Sequence, residues 1–256
     1  MVTVAQIFQF INGFAPFRSA MDFDNVGLLI GSPETSVHTV IVTMDITPKV
    51  VGQALEENAQ LIISHHPVIF HPLKRLSPAD LPYILVQKDI CALAVHTNYD
   101  LAKGGVNDCL AQRLQLQNIA MLEEYERSGL ALSLMGELQC EMLPGEFAAF
   151  VKERLGCKGL KFTVGNSNVK KVALACGAGG GSVFAAGDAG ADAFVCGECK
   201  HHELLAACDM GLTMVDAGHF ATEDVAIEPL CDRLAAAFEQ VRFVKSVQVD
   251  EVEFLV

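Results

Sequence analysis

Long apolar runs are missing from this 256-residue chain. A bilayer-spanning helix needs about 20 consecutive apolar residues, so none is expected. The start, Met1-Val2-Thr3-Val4, lacks the charged residues and apolar core of a secretory leader, and none is expected there either. Positive charge is scarce: 18 Lys and Arg stand against 31 Asp and Glu, for a net charge of −13 and a pI near 4.9. That balance argues against a dedicated nucleic-acid binder, because phosphate backbones are gripped by Lys and Arg. No Ser- or Pro-rich linker interrupts the chain, so domain edges are soft. The nine Cys are scattered and odd in number, and a chain of this size does not need staples. Reduced thiols in a cytoplasm are expected rather than a disulfide framework. No Gly-x-Ser-x-Gly is present, and no Gly-Lys-Ser/Thr follows the glycine-rich run, which excludes a P-loop. What is present is a composition that is 51% hydrophobic with 21 Gly, enough for a packed core in one large domain or two modest ones.

Apolar residues at Val4, Ile7, Phe8 and Ile11 keep a helical period. Val37 to Met44 reads as a strand, and Thr47-Pro48 supplies an N-cap and first-turn proline for a helix reaching about Asn58. Strands at 61–64 and 90–95 alternate with helices at 80–88 and 106–114. That alternation predicts a largely parallel α/β sheet, with function at the carboxyl ends of its strands. The stretch from Glu123 to Gly165 differs in rhythm, with a helix around 147–155 and extended pieces at 130–135 and 160–164. The β-α rhythm then resumes, with strands at 170–176, 193–196 and 213–216 and helices at 182–189 and 201–208. A last helix is expected from about Gly218 to Gln240, and a strand over 243–249. The fold expected is α/β with two α/β lobes, the second inserted in the first and a dinuclear metal site in the cleft between them. The first lobe is 1–124 plus 215–256, the second 125–214.

Ser64-His65-His66-Pro67 is the stretch on which function turns. Two adjacent imidazoles stand where a buried strand runs out, and the turn demanded by Pro67 can break strand alternation so that they serve neighbouring ions. His96-Thr97-Asn98-Tyr99-Asp100 follows another buried strand. Asp100 there can bridge ions, while His96 can ligate or orient from behind; a plain strand-end turn is the bland alternative. His219 and Glu223, at i and i+4, share one helix face and can grip one ion, or be an ordinary helix start. Together these residues offer imidazoles and carboxylates for Zn, Fe, Mn or Ni, and two ions a few ångströms apart activate a water between them. Cys196-Gly197-Glu198-Cys199 is open to three readings: a redox pair, half a zinc site, or small buried fillers. With no second C-x-x-C, a four-Cys zinc site is excluded. The Gly177–Ser182 run is either a phosphate cradle or a tight strand–helix turn. Glu198, His201 and His202 are placed along the cleft, and His38 and His71 on the surface.

These blocks, in order, resemble the Nif-three-like proteins, also called GTP cyclohydrolase 1 type 2 homologues. The likeness runs nearly end to end through Asp24-Asn25-Val26-Gly27-Leu28, Ser64-His65-His66-Pro67, His96-Thr97-Asn98-Tyr99-Asp100, Gly197-Glu198 and Asp216-Ala217-Gly218-His219-Phe220-Ala221-Thr222-Glu223. The resemblance implies that His65, His66, Asp100, His219 and Glu223 bind two divalent ions, with His96 beside them. It also implies a ring-shaped homohexamer. Two departures stand out. Where relatives often carry Gly-x-Gly-Arg, this chain reads Ser128-Gly129-Leu130-Ala131, without the arginine. Phe23 replaces a usual Trp, a change expected to concern packing only.

The function expected is a dinuclear metal-dependent hydrolase of a nucleotide or similar small substrate, GTP being what the resemblance implies. Glu198 and His202 are expected to move protons. The competing expectation is a non-enzymatic metal-binding, metal-delivery or protein-interaction scaffold using the same ligands.

Overall fold

A computed structural model describes residues 1–126 and 128–255. The chain forms two compact units, 1–102 with 227–249, and 103–226 with 250–256. The strands at 117–124, 131–142 and 213–216 all belong to one sheet of the second unit.

The first unit runs β1 (Val2–Thr3), α1 (Val4–Phe14), β2 (Gly27–Ile30), β3 (Ser36–Val37), β4 (Thr39–Thr43), α2 (Pro48–Glu56), β5 (Leu61–Ser64), α3 (Leu81–Gln87), β6 (Cys91–Ala94) and α4 (Thr97–Asp100). Thr3 caps α1 in a reciprocal capping box with Gln6, and Thr47 Oγ1 accepts from Val50 N at the start of α2, as the Thr-Pro pair predicts. The second unit runs α5 (Val106–Arg113), β7 (Gln117–Glu124), β8 (Ala131–Met142), α6 (Pro144–Leu155), β9 (Lys161–Phe162), β10 (Val169–Ala175), α7 (Val183–Asp188), β11 (Ala193–Cys196), α8 (His201–Met210), β12 (Thr213–Asp216) and α9 (His219–Glu223). The chain then returns to the first unit with α10 (Ile227–Ala237) and β13 (Arg242–Lys245).

The first unit's main sheet has the order β13-β4-β5-β6-β2. Its first four strands are parallel and β2 closes the edge antiparallel. Every residue of β4, β5 and β6 is buried, as fits strands covered on both faces. Ile41, Ile62, Val50, Ala54 and Leu85 form part of the core between sheet and helices. The second unit's sheet has the order β7-β8-β10-β11-β12-β9, parallel only through β10, β11 and β12. No helix among the described residues is long and apolar enough to cross a membrane.

The single last helix expected from 218 to 240 is instead two helices, α9 and α10, joined by a 3-10 turn over 224–226. Pro229 explains the restart: it lacks an N–H and is tolerated only in a first helical turn, the place it occupies in α10.

Candidate metal centre

Register builds the first unit's donor group. Thr43 pairs with Ser64 and Ser64 with Ala94, so β4, β5 and β6 end level. The residues just beyond those ends, Asp45, His65, His66 and His96, therefore emerge along one rim. The ring centroids of His65, His66 and His96 lie 5.0, 5.1 and 5.3 Å apart. One nitrogen of each lies within 4.8 Å of the others, a spacing that fits a shared ion.

Each imidazole is held through its Nδ1. His65 Nδ1 donates to Val95 O at 2.9 Å, His66 Nδ1 to Asp45 Oδ1 at 2.7 Å, and His96 Nδ1 to Asp24 Oδ1 at 2.8 Å. A carbonyl or carboxylate oxygen can only accept, so the proton sits on Nδ1 and Nε2 is the nitrogen a metal would take. This backing by carbonyl and carboxylate is the usual arrangement behind ligating histidines. The donor set thus fits a divalent cation on geometry as well as on chemistry. His65 Nε2 faces Asp100 Oδ1 at 3.4 Å; a lone pair aimed at a carboxylate is favourable only with a proton or a cation shared between them.

The backing carboxylates are themselves fixed. Burial disfavours charge on Asp24, but hydrogen bonds from His96 and from the Thr97 hydroxyl and N–H outweigh it and hold its pKa down at about 2. Burial likewise opposes charge on Asp45, yet hydrogen bonds from His66 and Gln248 hold it below the usual carboxylate range. Gln248 also accepts from Asp45 N at 2.8 Å, so the tail after β13 anchors the support of His66.

The second unit supplies another donor group. There, Ala175 aligns with Cys196 and Cys196 with Asp216, so β10, β11 and β12 end level. Their loops interlock through backbone. Gly177 O accepts from Gly197 N at 2.9 Å and Glu198 N at 2.8 Å, and Gly177 N donates to Thr222 Oγ1 at 3.2 Å. A Cβ on Gly177 would overlap the Glu223 carboxylate, and one on Gly197 would overlap Thr222 and crowd His219 Cα. His219 sits between two carboxylates, with Nε2 at 3.0 Å from Glu223 Oε2 and Nδ1 at 3.1 Å from Glu198 Oε1. Glu223 is buried and Glu198 exposed.

Other expected residues fall as follows. His202 is exposed on α8, 4.0 Å from its neighbour Glu203. The Gly177–Ser182 run is a tight turn whose glycines admit carboxylates: Gly177 lies against Glu223, and Gly180 against Glu203. Such surroundings repel an anion. Cys196 is fully buried. Its hydrogen bond with Cys199, burial, and the nearby Asp216 and Glu203 carboxylates all push its thiol upward, which leaves a poor nucleophile. Cys199 Sγ donates to Asp216 Oδ2 at 3.3 Å, and Lys161 Nζ pairs with the same oxygen at 2.8 Å. Phe23 is 64% exposed, with its ring beside that of Phe70. The supporting carboxylates Asp24 and Asp45 were given no role by sequence reasoning. Their signal was positional: Asp45 follows the strand beside β5, and Asp24 opens the Asp-Asn-Val-Gly-Leu block.

An α/β protein that raises a cluster of imidazoles and carboxylates from level strand ends is, by fold and donor set, a protein equipped for a divalent cation. Comparison with known proteins makes the assignment specific. The chain belongs to the Duf34/NIF3 (NGG1p interacting factor 3) family, whose profile matches residues 2–252. A Clostridium perfringens protein named GTP cyclohydrolase 1 type 2 homolog is 30% identical to it over 257 residues, spanning 97% of this chain and 98% of its own. A Bacillus subtilis protein of the same name is 27% identical, spanning 97% and 96%. The crystal structure of a Bacillus cereus protein related to NIF3 superposes with a TM-score of 0.91 at 25% identity, covering 100% of both chains.

Proposed function

We propose that the chain is a dinuclear divalent-metal-dependent hydrolase of a nucleotide or similar small substrate, as the names of its relatives suggest for GTP. The ligands proposed are His65, His66, Asp100, His219 and Glu223, with His96 completing the imidazole cluster. The observation that carries this reading is the threefold Nδ1 backing of His65, His66 and His96 by Val95 O, Asp45 and Asp24. A pair of divalent ions held there would supply Lewis acidity and an activated water. The protein's own part is preorganisation. Asp24 and Asp45 orient their imidazoles and raise the ligating power of Nε2, and Glu198, in contact with His219 Nδ1, is the group proposed to take and return a proton at that nitrogen. The homohexamer implied by the family resemblance and a reducing cytoplasmic setting belong to the same reading.

The test is turnover by metal-loaded protein against GTP and a panel of phosphoesters. Hydrolysis that disappears in His66→Ala supports the reading. Full metal loading with every substrate untouched over hours overturns it.

One observation favours the non-enzymatic alternative, a metal-binding or metal-delivery scaffold. His202, expected to carry protons, stands exposed beside Glu203 rather than among the ligands, which leaves proton transfer to Glu198. Under the scaffold reading Glu198→Ala changes nothing measurable while metal stays bound; under the hydrolase reading it lowers turnover with metal retained.

A further inference from the structure

Two phenylalanines beside the imidazole cluster are left open to water. Phe23 is 64% exposed and Phe70 is 38% exposed, and their ring centroids lie 6.3 Å apart at 56°. Phe70 is in turn 6.3 Å from the ring of His96. Singly exposed apolar residues are commonplace. These two differ because the backbone that presents them is fixed. Phe23 precedes Asp24, whose carboxylate is tied to His96 and Thr97, and Asp24 N donates to Met21 O at 2.9 Å. Asn25 Nδ2 donates to Ile69 O at 2.6 Å, which joins the Phe23 loop to the residue before Phe70. Neither ring can easily fold away, so both stay unburied until something covers them.

We propose that Phe23 and Phe70 form a stacking platform for the planar heteroaromatic ring of the substrate, a purine being the best fit to the reading above. The proposal rests on that reading and deepens it by assigning the residues that recognise the ring. An aromatic face accepts any flat π system and gains from the desolvation of both partners. A ring laid on Phe23 or Phe70 places the rest of the ligand next to His96 and hence beside the metal ligands. Two rings 6.3 Å apart match a small planar ligand in scale, whereas a stable protein contact needs about 800 Å² per side. Phe23 also has the chemistry to distinguish ligands. It rewards a base and ignores a bare sugar phosphate.

The test uses the metal-loaded full chain, with metal per chain measured on every sample. The chain contains no tryptophan, so Phe23→Trp installs the variant's one tryptophan at the platform. Its emission should be quenched by guanosine and GTP and unaffected by ribose 5-phosphate. By calorimetry, Phe23→Ala and Phe70→Ala should each bind guanosine and GTP about tenfold more weakly. Phe23→Leu should show the same loss, because it keeps apolar area but has no π face, whereas Phe23→Trp should restore binding. Affinity for ribose 5-phosphate and metal content should not move. Wild-type protein that binds none of the ring-bearing probes overturns the proposal, as does equal affinity across the variants or an equal loss for ribose 5-phosphate. Wild-type protein that lacks metal yet shows Phe23-dependent nucleoside binding would sink the hydrolase reading alone. Full metal loading with ring binding indifferent to Phe23 and Phe70 would sink the platform alone. Phe23 is exposed, so its variants should unfold at the wild-type temperature, which separates loss of binding from loss of fold.

Discussion

Because Val95 O, Asp45 and Asp24 hold the Nδ1 atoms of His65, His66 and His96, each ring is fixed in tautomer and rotation before a ligand arrives. The carboxylates behind the histidines should therefore matter nearly as much as the histidines. Asp24→Asn and Asp45→Asn should each weaken metal binding about 10- to 100-fold in competition with a chromogenic chelator; unchanged affinity would show that the imidazoles need no support. Asp24 also carries a signature in acid. Its pKa in the folded chain, about 2, lies below the ordinary value of 3.8. A depressed carboxylate pKa means that the unfolded chain binds the proton first. Its stabilising contribution is then complete above pH 3.8 and drains away as pH falls towards 2. Urea midpoints measured across that interval should fall less steeply for Asp24→Asn than for wild type, and equal slopes would contradict the assignment. At this scale the sequence was partly legible. Paired histidines after a buried strand are conspicuous, and so is a His at the next strand's end. Asp24 and Asp45 were not, because a supporting role depends on a bond across a loop, and Asp24 lies 72 residues from His96.

Glycine geometry decides how the second unit's loops present their donors. Gly177 has φ +51°, and a Cβ there would collide with the Glu223 carboxylate. Gly190 has φ +68° with nothing within 4 Å of its Cβ position. Gly190→Ala should cost only the left-handed strain, about 1–2 kcal/mol, or a few degrees of thermal midpoint. Gly177→Ala should cost more and also displace Glu223, lowering metal content; equal melting shifts and equal metal in the two variants would contradict the contact. Gly13, inside α1 with open space around its Cβ position, offers the opposite sign. Gly13→Ala should stabilise by about 0.4–1 kcal/mol in denaturant titration. Element boundaries were legible wherever burial is complete: the strands at 61–64, 193–196 and 213–216 fall where apolar pattern puts them. β7 went unread because most of its residues, such as Gln117 and Asn118, are exposed on a sheet edge, where the apolar alternation of a half-buried strand is absent. The break between α9 and α10 was missed because periodicity continues across it while Pro229 resets the backbone.

For the whole molecule, the parallel cores make the fold tolerant at its loops and sensitive at its strands. Ile62, fully buried in the middle of the first unit's sheet, should cost about 2–5 kcal/mol as Ile62→Ala, with metal ligation spared in whatever remains folded. The proposed function requires His66 and Glu223 to serve the same ions. Elemental analysis of purified protein, wild type beside His66→Ala and Glu223→Ala, tests that requirement most directly. About two divalent ions per wild-type chain are expected, with a fall in both variants. A wild-type chain without metal, or a Glu223→Ala chain that keeps its full complement, would contradict it.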